Sequence, residues 1–545
     1  MFVRVVEQAS GKSSVRIVES VRKGKEVRQR IVRYVGQGVD SKEVETLKKL
    51  AEEAIGKIRQ AGSKPLLPWQ DLEKFFEKKS DEEIEDLVRI KNLKEESRFV
   101  TGISEIFGKV YSEMALDSLL FEKEKPWHWI LKSCVLARLG QPASKFKTAK
   151  ILDQDYGIKI APHKIYRMMD RLFKKEDDAK TLVLQSTLTL FQQKVDVLFF
   201  DVTTLYFESV EADGLRAFGY SKDCKFKEVQ VVLALVTTAE GLPITYELFA
   251  GNTSEGKTLV VMIENLQKKF QVESVVLVAD RAMFNEINLS LMESKKISFV
   301  VAAKLRSMPK NVKEKILKSP SFYSTTVEGE SHWLMESEWK NRRVVISYSS
   351  SRAHKDASDR QRLIDRLLKK VKGEKIPVTD LILNRGTSRF LKTSGGTAEI
   401  DQAKILNDQQ WDGLHGIVTN MQSERAENLL ARYRGLWQIE EAFRINKFDL
   451  KMRPIFHWTK ARIHAHILIC FLAFAVAKQA LHRLKKKAIP MSLEQLRDEL
   501  IHVQASCVRD RSTQRKYQIP SAANETQKKI YAAFGLHRSE SIRRI

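Results

Sequence analysis

The sequence predicts a multidomain α/β protein built around one mixed sheet. Three observations carry that expectation. Apolar runs of strand length follow one another between residues 195 and 303, amphipathic helical patterns separate the later ones, and 545 residues exceed what one core of about 150 residues uses. The runs are 195–201, 229–236 and 242–249, then a helix over 257–270 (Leu259, Met262, Ile263, Leu266), a run at 275–280, a second helix, and a run at 297–303. The order is β-β-β-α-β-α-β.

The flanking segments divide by pattern. Residues 1–38 read as a basic β-hairpin unit, with nine Lys/Arg against three Glu; such a hairpin either tracks phosphates or is a charged, solvated edge. Residues 39–194 read as a helical region. Within it Ser144 caps a stretch with Phe146, Ala149, Ile151 and Leu152 apolar, and a break at 157–162 leads to a second helix through Ile165, Met168, Met169 and Leu172. This is helix-turn-helix-like, and Lys145, Lys147, Lys150, Lys159, Lys164, Arg167 and Arg171 favour DNA as its partner. Residues 195–305 hold the first part of the sheet unit. A β-rich insertion spans 306–424, with strands near 322–327, 332–339, 343–348, 390–391 and 413–420 and a helix over 356–372. A long helix over 424–447 opens the second part, 425–480, and 481–545 reads as a basic helical tail.

Lys and Arg number 94 against 69 Asp and Glu, a net charge of +25 that suits a polyanionic partner, nucleic acid first. With 43% hydrophobic and 30% charged residues the chain is neither disordered nor collagen-like. Cys134, Cys224, Cys470 and Cys507 form no CxxC pair, so the expectation is a reducing compartment with no disulfide framework or structural zinc. No signal-like stretch opens the sequence. Its longest uncharged apolar run, 467–477, is 11 residues against the roughly 20 that span a bilayer, so a cytoplasmic protein without a membrane partner is expected.

Asp201 ends the first run and Asp280 the fourth, where carboxylates at strand ends converge on one edge of a sheet. Tyr433, Glu440 and Lys447 are spaced by seven and so share a helical stripe with Trp437 and Arg444. Three carboxylates without a His or Cys ligand set suit hard divalent ions such as Mg²⁺ or Mn²⁺. Two such ions support in-line phosphoryl displacement. Alone, a strand-end Asp is more often a turn or cap residue; the joint placement is what points to chemistry.

At these residues the sequence resembles the DDE transposases of bacterial insertion sequences, in the group with a β-rich insertion in an RNase H-like catalytic domain. The matching segments are Asp201-Val-Thr-Thr-Leu-Tyr-Phe-Glu, Gly219-Tyr-Ser-Lys-Asp223, Leu242-Pro-Ile, Phe249-Ala-Gly-Asn-Thr-Ser-Glu255, Val278-Ala-Asp280-Arg-Ala-Met, and the stretch from Tyr433 through Glu440 to Lys447. Arg453-Pro-Ile-Phe-His and Ile463-His-Ala-His-Ile follow. The resemblance implies that Asp201, Asp280 and Glu440 are the catalytic triad holding two Mg²⁺ or Mn²⁺. It further implies that Tyr433 and Lys447 belong to a Tyr-x2-Arg-x3-Glu-x6-Lys signature contacting the transposon end. The signature Arg is Leu436 here, leaving Arg434 or Arg444 for that contact. The implied function is binding of terminal inverted repeats, then DNA cleavage and strand transfer by a homodimer on DNA, without ATP. Trp333 or Trp339 of the insertion either stacks on a displaced base or packs in a core.

Two alternatives accompany this reading. Gly251-Asn-Thr-Ser-Glu-Gly256-Lys257-Thr258 fits the phosphate-loop pattern of an ATPase, but Glu255 puts a negative charge in the loop, and only one helix separates Lys257 from Asp280. A catalytically inactive, transposase-derived DNA-binding protein is the other. Glu441 reads as part of a solvated face, and His457, His464 and His466 as packing or backbone-contact residues without a fourth ligand.

Overall fold

The computed structural model describes residues 1–7, 13–23, 26–60, 88–121, 126–191, 197–208, 211–219, 227–270, 276–318, 321–327, 330–371, 376–377, 389–394 and 397–545. Cys224 and residues 220–223 of the quoted motif lie outside them. Two compact units are present, Met1–Arg89 and Ile90–Ile545.

In the first unit the basic hairpin gains a strand. β1 (Phe2–Glu7), β2 (Ser13–Lys23) and β3 (Glu26–Gly38) form an antiparallel sheet in that order. Helix α1 (Ser41–Gln60) covers it, with Val15 and Ile17 buried against Ala51 and Ile55. The helix start is fixed reciprocally: Asp40 accepts from the Glu43 N–H at 2.8 Å and Glu43 from the Val39 N–H at 2.9 Å.

The second unit opens with a strand inside the expected helical region, β4 (Leu93–Val100), before α2 (Gly102–Glu113), α3 (Trp127–Gly140), α4 (Lys145–Tyr156), α5 (Pro162–Leu172) and α6 (Glu176–Phe191). The helix-turn-helix pair is α4 and α5. Ser144 accepts from the Lys147 N–H at 3.3 Å, and Gly157, at φ +68°, ends α4. One expectation is inverted: Lys145 is buried and Phe146 is exposed, because the buried stripe runs through Lys145, Thr148, Ala149, Ile151 and Leu152. Lys145 is therefore no DNA contact, whereas Lys147, Lys150, Lys159, Lys164, Arg167 and Arg171 are exposed.

The central sheet has nine strands. Its core is β5 (Val197–Tyr206), β6 (Gln230–Thr238), β7 (Pro243–Ala250), β8 (Val276–Ala279) and β9 (Ser298–Ala302), in spatial order β7-β6-β5-β8-β9. β6 is antiparallel to β5 and β7, while β5, β8 and β9 run parallel. Helices α7 (Glu255–Phe270) and α8 (Glu286–Ser294) make the parallel crossovers.

The strands of the insertion do not stand apart. β10 (Tyr323–Val327), β11 (Glu330–Trp339), β12 (Arg342–Tyr348) and β16 (Leu414–Thr419) prolong the same sheet beyond β9 in the order β10-β11-β12-β16-β9. Helices α9 (Lys310–Lys318), α10 (Ser350–Val371) and α11 (Gln402–Gln409) come from this stretch too. A separate small sheet pairs β15 (Thr397–Ile400) with β13 (Ile376–Pro377) and β14 (Leu391–Ser394).

Side chains alternate between two cores. Leu198, Phe200, Val202, Leu277 and Ala279 face α7 and α8. Phe199, Leu205, Val276 and Val278 face the other side, shared with α12 (Ala426–Arg434), α13 (Trp437–Arg444) and α14 (Lys460–Lys486). α14 is the one helix among the described residues long and apolar enough to cross a membrane, and 94% of its most apolar stretch is buried inside the protein. Nearby α2, α3, α5 and α6 pack on it.

The tail is not wholly helical. After α15 (Leu493–Ile501) come β17 (Gln504–Asp510) and β18 (Lys516–Pro520), then α16 (Glu525–Ala533) and β19 (Arg543–Arg544). β17 pairs with β4, closing a four-stranded sheet from the two ends of the unit.

Candidate active site

Asp201 does not end its strand: the apolar sequence carries β5 on to Tyr206. What ends at that level is β8. Phe200 pairs with Ala279 in the parallel ladder, so Asp201 and Asp280 are the next residues on neighbouring strands, about 5 Å apart at their backbones. Asp280 keeps extended backbone (φ −75°, ψ 171°). By alternation Asp201 shares the side of Phe199, and Asp280 that of Val276 and Val278. Both carboxylates leave the sheet toward the layer of α12 and α13.

Glu440 lies on α13 in that layer, and the helix that carries it is not the continuous one expected. α12 stops at Arg434, a tight turn follows in which the Leu436 N–H donates to the Tyr433 carbonyl at 3.0 Å, and α13 starts at Trp437. After Arg444 the chain widens into a π-helical turn, Ile445–Asp449, that carries Lys447. Tyr433, Glu440 and Lys447 thus stand on three segments of different winding. Glycine at 435 lets the turn press on the sheet: a Cβ there would meet the Phe199 ring at 2.5 Å. Ile439, Ala442 and Phe443 are buried beneath α13, which leaves Glu440 exposed. Leu436 is buried in the same core.

The electrostatics of Tyr433 tie these parts together. Its hydroxyl is pushed up to about 12, first by burial, then by Asp280 and Glu440, with Arg281 and Arg352 opposing. Its ring lies 4.8 Å from that of His415, which burial, Arg352 and Arg281 push down to about 3. Neutral His415 lines two cavities, as does Arg352. One, of about 340 Å³, is lined by Tyr433, Arg434, Trp437, Glu440, His415 and Arg352. The other, of about 550 Å³, includes Arg281, Lys304, Arg306, Arg352, Arg389 and His415. In the second, Asp408 accepts from Arg306, Arg360 and Arg389, and Arg360 also grips Asp412 at 2.6 and 2.5 Å. Sequence reasoning missed Arg281, Arg352 and His415; the one signal was that Arg281 directly follows Asp280.

The remaining expected residues separate. Trp437 is exposed beside Glu440. Arg434 bonds His332 of β11, and Arg444 is exposed, 3.4 Å from Asp449. Glu441 is held by the buried Lys478 at 3.4 Å and points away from a ligand role. His464 bonds Glu176 at 2.8 Å and His466 donates to the Met452 carbonyl at 2.9 Å, both packing roles. Trp339 packs against Phe284, while Trp333 is half exposed.

The phosphate-loop segment uses part of its N–H groups within the fold. The Gly251 N–H donates to Leu215, the Thr253 N–H to Ala250 and the Lys257 N–H to Ser254, and the loop follows an antiparallel edge strand. Among the described residues no three His, Cys, Asp or Glu side chains are close enough together to hold an ion. By donor type, however, Asp201, Asp280 and Glu440 fit a hard divalent cation.

A five-strand core in this order, with a helix returning to the face of its central strands, is RNase H-like. Residues 192–475, just over half the chain, match the family model described as the transposase DDE domain, and the chain belongs to that family. It is a transposase. Among solved structures it is similar to a piggyBac transposase synaptic complex with hairpin DNA, at 11% identity over 74% of this chain and 79% of that one, TM-score 0.38. A Mos1 mariner paired end complex with Mn is also similar, at 14% identity over 36% and 65%, TM-score 0.15. No curated protein sequence matches.

Proposed function

We propose that this transposase binds the terminal inverted repeats of an insertion sequence and cuts and rejoins DNA with Asp201, Asp280 and Glu440 as its catalytic carboxylates. The observation that carries the reading is the level placement of Asp201 and Asp280, each the residue after the last pair of the parallel β5–β8 ladder, with Asp280 and Glu440 both acting on Tyr433. The three would hold two Mg²⁺ or Mn²⁺, which supply activation of the attacking hydroxyl and charge stabilisation of the leaving oxygen. The nucleophile is water in cleavage and a strand's 3′-hydroxyl in joining; a new P–O bond forms as the old one breaks, and the departing 3′-oxygen takes up a proton.

The chain's own part is to place the strand. Tyr433 and Trp437 line a cavity with Glu440, and Arg281 and Arg352 offer cations to the strand's phosphates nearby. Tyr433 stays protonated at working pH and so donates a hydrogen bond. Arg434, Arg444 and Lys447 extend the contact along the backbone. Work by a homodimer on DNA in the cytoplasm, without nucleotide, completes the proposal.

The test is cleavage of labelled duplexes from the DNA flanking the gene, with Mg²⁺ or Mn²⁺ and no nucleotide. Asp201→Asn, Asp280→Asn and Glu440→Gln should each lower cleavage by about 10³-fold, the rate equivalent of several kcal/mol of transition-state stabilisation, with duplex binding retained. Binding without cleavage by the wild type would favour a DNA-binding protein instead.

A further inference from the structure

Between residues 437 and 458 the chain exposes four large rings, of which Phe448 (60%), Phe456 (56%) and Trp458 (58%) lie beyond the carboxylates. Scattered exposed aromatics are ordinary, but these are held outward by specific structure. The segment after the π turn runs along the end of β5: Ile455 bridges to Phe207 in parallel, and its N–H donates to the Tyr206 carbonyl at 3.2 Å. With Ile455 buried, alternation turns Phe456 out, His457 in against His466 (ring centroids 5.3 Å apart) and Trp458 out again.

Guanidinium groups are threaded between the rings. Arg453 lies 5.1 Å from the centre of Phe448 and 5.4 Å from that of Tyr206, and Arg216 lies 5.3 Å from Trp458 and 5.9 Å from Phe207. Arg216 is buried and tied to Asp213 at 2.7 Å, so it braces Trp458 from behind. Lys451 and Lys460 are exposed at the two ends of the segment. Protein interfaces are enriched in Arg and aromatic residues but depleted in Lys, and here exposed lysines stand at both ends of the segment. Rings that present π-faces beside positive charge match a polyanion with bases to stack, and duplex DNA hides its base faces.

We propose that Phe448, Phe456 and Trp458 form a ledge that stacks the bases of unpaired DNA, with Arg453, Lys451 and Lys460 meeting its phosphates. This rests on DNA as the substrate. The ledge hangs from the strand that carries Asp201, so it would receive single-stranded DNA on leaving the carboxylates.

The full-length chain, in EDTA to prevent cutting, is titrated into a fluorescein-labelled oligothymidylate of about twenty nucleotides and, separately, into a duplex of the same length, read by anisotropy. Phe448→Leu, Phe456→Leu and Trp458→Leu keep apolar bulk but remove the stacking face. Each should weaken single-strand binding roughly tenfold and leave duplex binding within about twofold. Unchanged single-strand affinity, or equal loss for both probes, overturns the ledge. A wild type that binds duplex but not single strand overturns the ledge alone; one that binds neither removes the DNA reading as well. Because the three side chains are exposed, the single variants should melt at the wild-type temperature; variants that keep the fold and still bind oligothymidylate normally settle the matter against the proposal.

Discussion

Gly435 stands directly over the ring of Phe199, with no room for even a methyl group between them. Because Phe199 and Asp201 lie on one face of β5, this contact sets the height of α13, and with it Glu440, above the aspartates. Gly435→Ala forces the turn off the sheet. Overpacking of this kind costs about 1–3 kcal/mol. We expect a lowered melting temperature together with about a hundredfold loss of cleavage, measured at a temperature where the variant remains folded. Unchanged cleavage would show that the turn does not position Glu440.

Leu436 occupies the position where the family signature has arginine, and here it is part of the core. Leu436→Arg therefore buries a charge and does not add a phosphate contact. The expected outcome is destabilisation by roughly 3 kcal/mol in urea unfolding, with no gain in duplex affinity. Tighter duplex binding at unchanged stability would mean that the side chain reaches the DNA.

His415 and His457 are both pushed down to about 3, chiefly by burial and then by nearby cations. The unfolded chain takes up these protons near pH 6.5, whereas the folded chain resists until about pH 3. Stability thus falls as pH drops through that window. Between pH 7 and 5 each histidine accounts for up to about 2 kcal/mol. Urea unfolding at the two pH values checks this, and His415→Gln and His457→Gln should each flatten the dependence.

Lys145 gives a slope of the same sign in a higher window. Buried beside Arg138 and the thiols of Cys134 and Cys470, its amine is pushed down to about 7. Above pH 7 the unfolded chain keeps a proton that the folded chain has lost, so stability rises with pH at about 1.4 kcal/mol per unit. Burial pushes Cys134 up to about 11, which opposes that rise above pH 9, so the window is pH 7 to 9. Lys145→Met should be more stable than the wild type at pH 7 and lose the slope; a slope that persists would place it elsewhere.

The five central strands were legible because β5 to β9 are apolar runs of strand length, and the aspartates because each breaks such a run with a charge. The end of β5 was misplaced because Val202 to Leu205 continue the apolar character past Asp201. Spacing by seven assumed a continuous helix and could not register that Gly435 is there to meet Phe199. The stripe of α4 was misread because Lys145 is buried at a position that amphipathic reasoning gives to a polar exterior. Arg281, Arg352 and His415 come from three distant segments, and nothing local marks their meeting. In the tail, Gln504 to Asp510 has no apolar run, so pairing with β4 overrides its weak strand pattern.

That last pairing bears on synthesis. Among the described residues β4 has one strand neighbour, β17, and the two are made about four hundred residues apart. A nascent chain on the ribosome carries Asp201, Asp280 and Glu440 well before it carries Gln504, and until then β4 is an open edge. A product truncated after Glu440 keeps all three carboxylates but lacks the strand that pairs with β4, and its open edge favours aggregation.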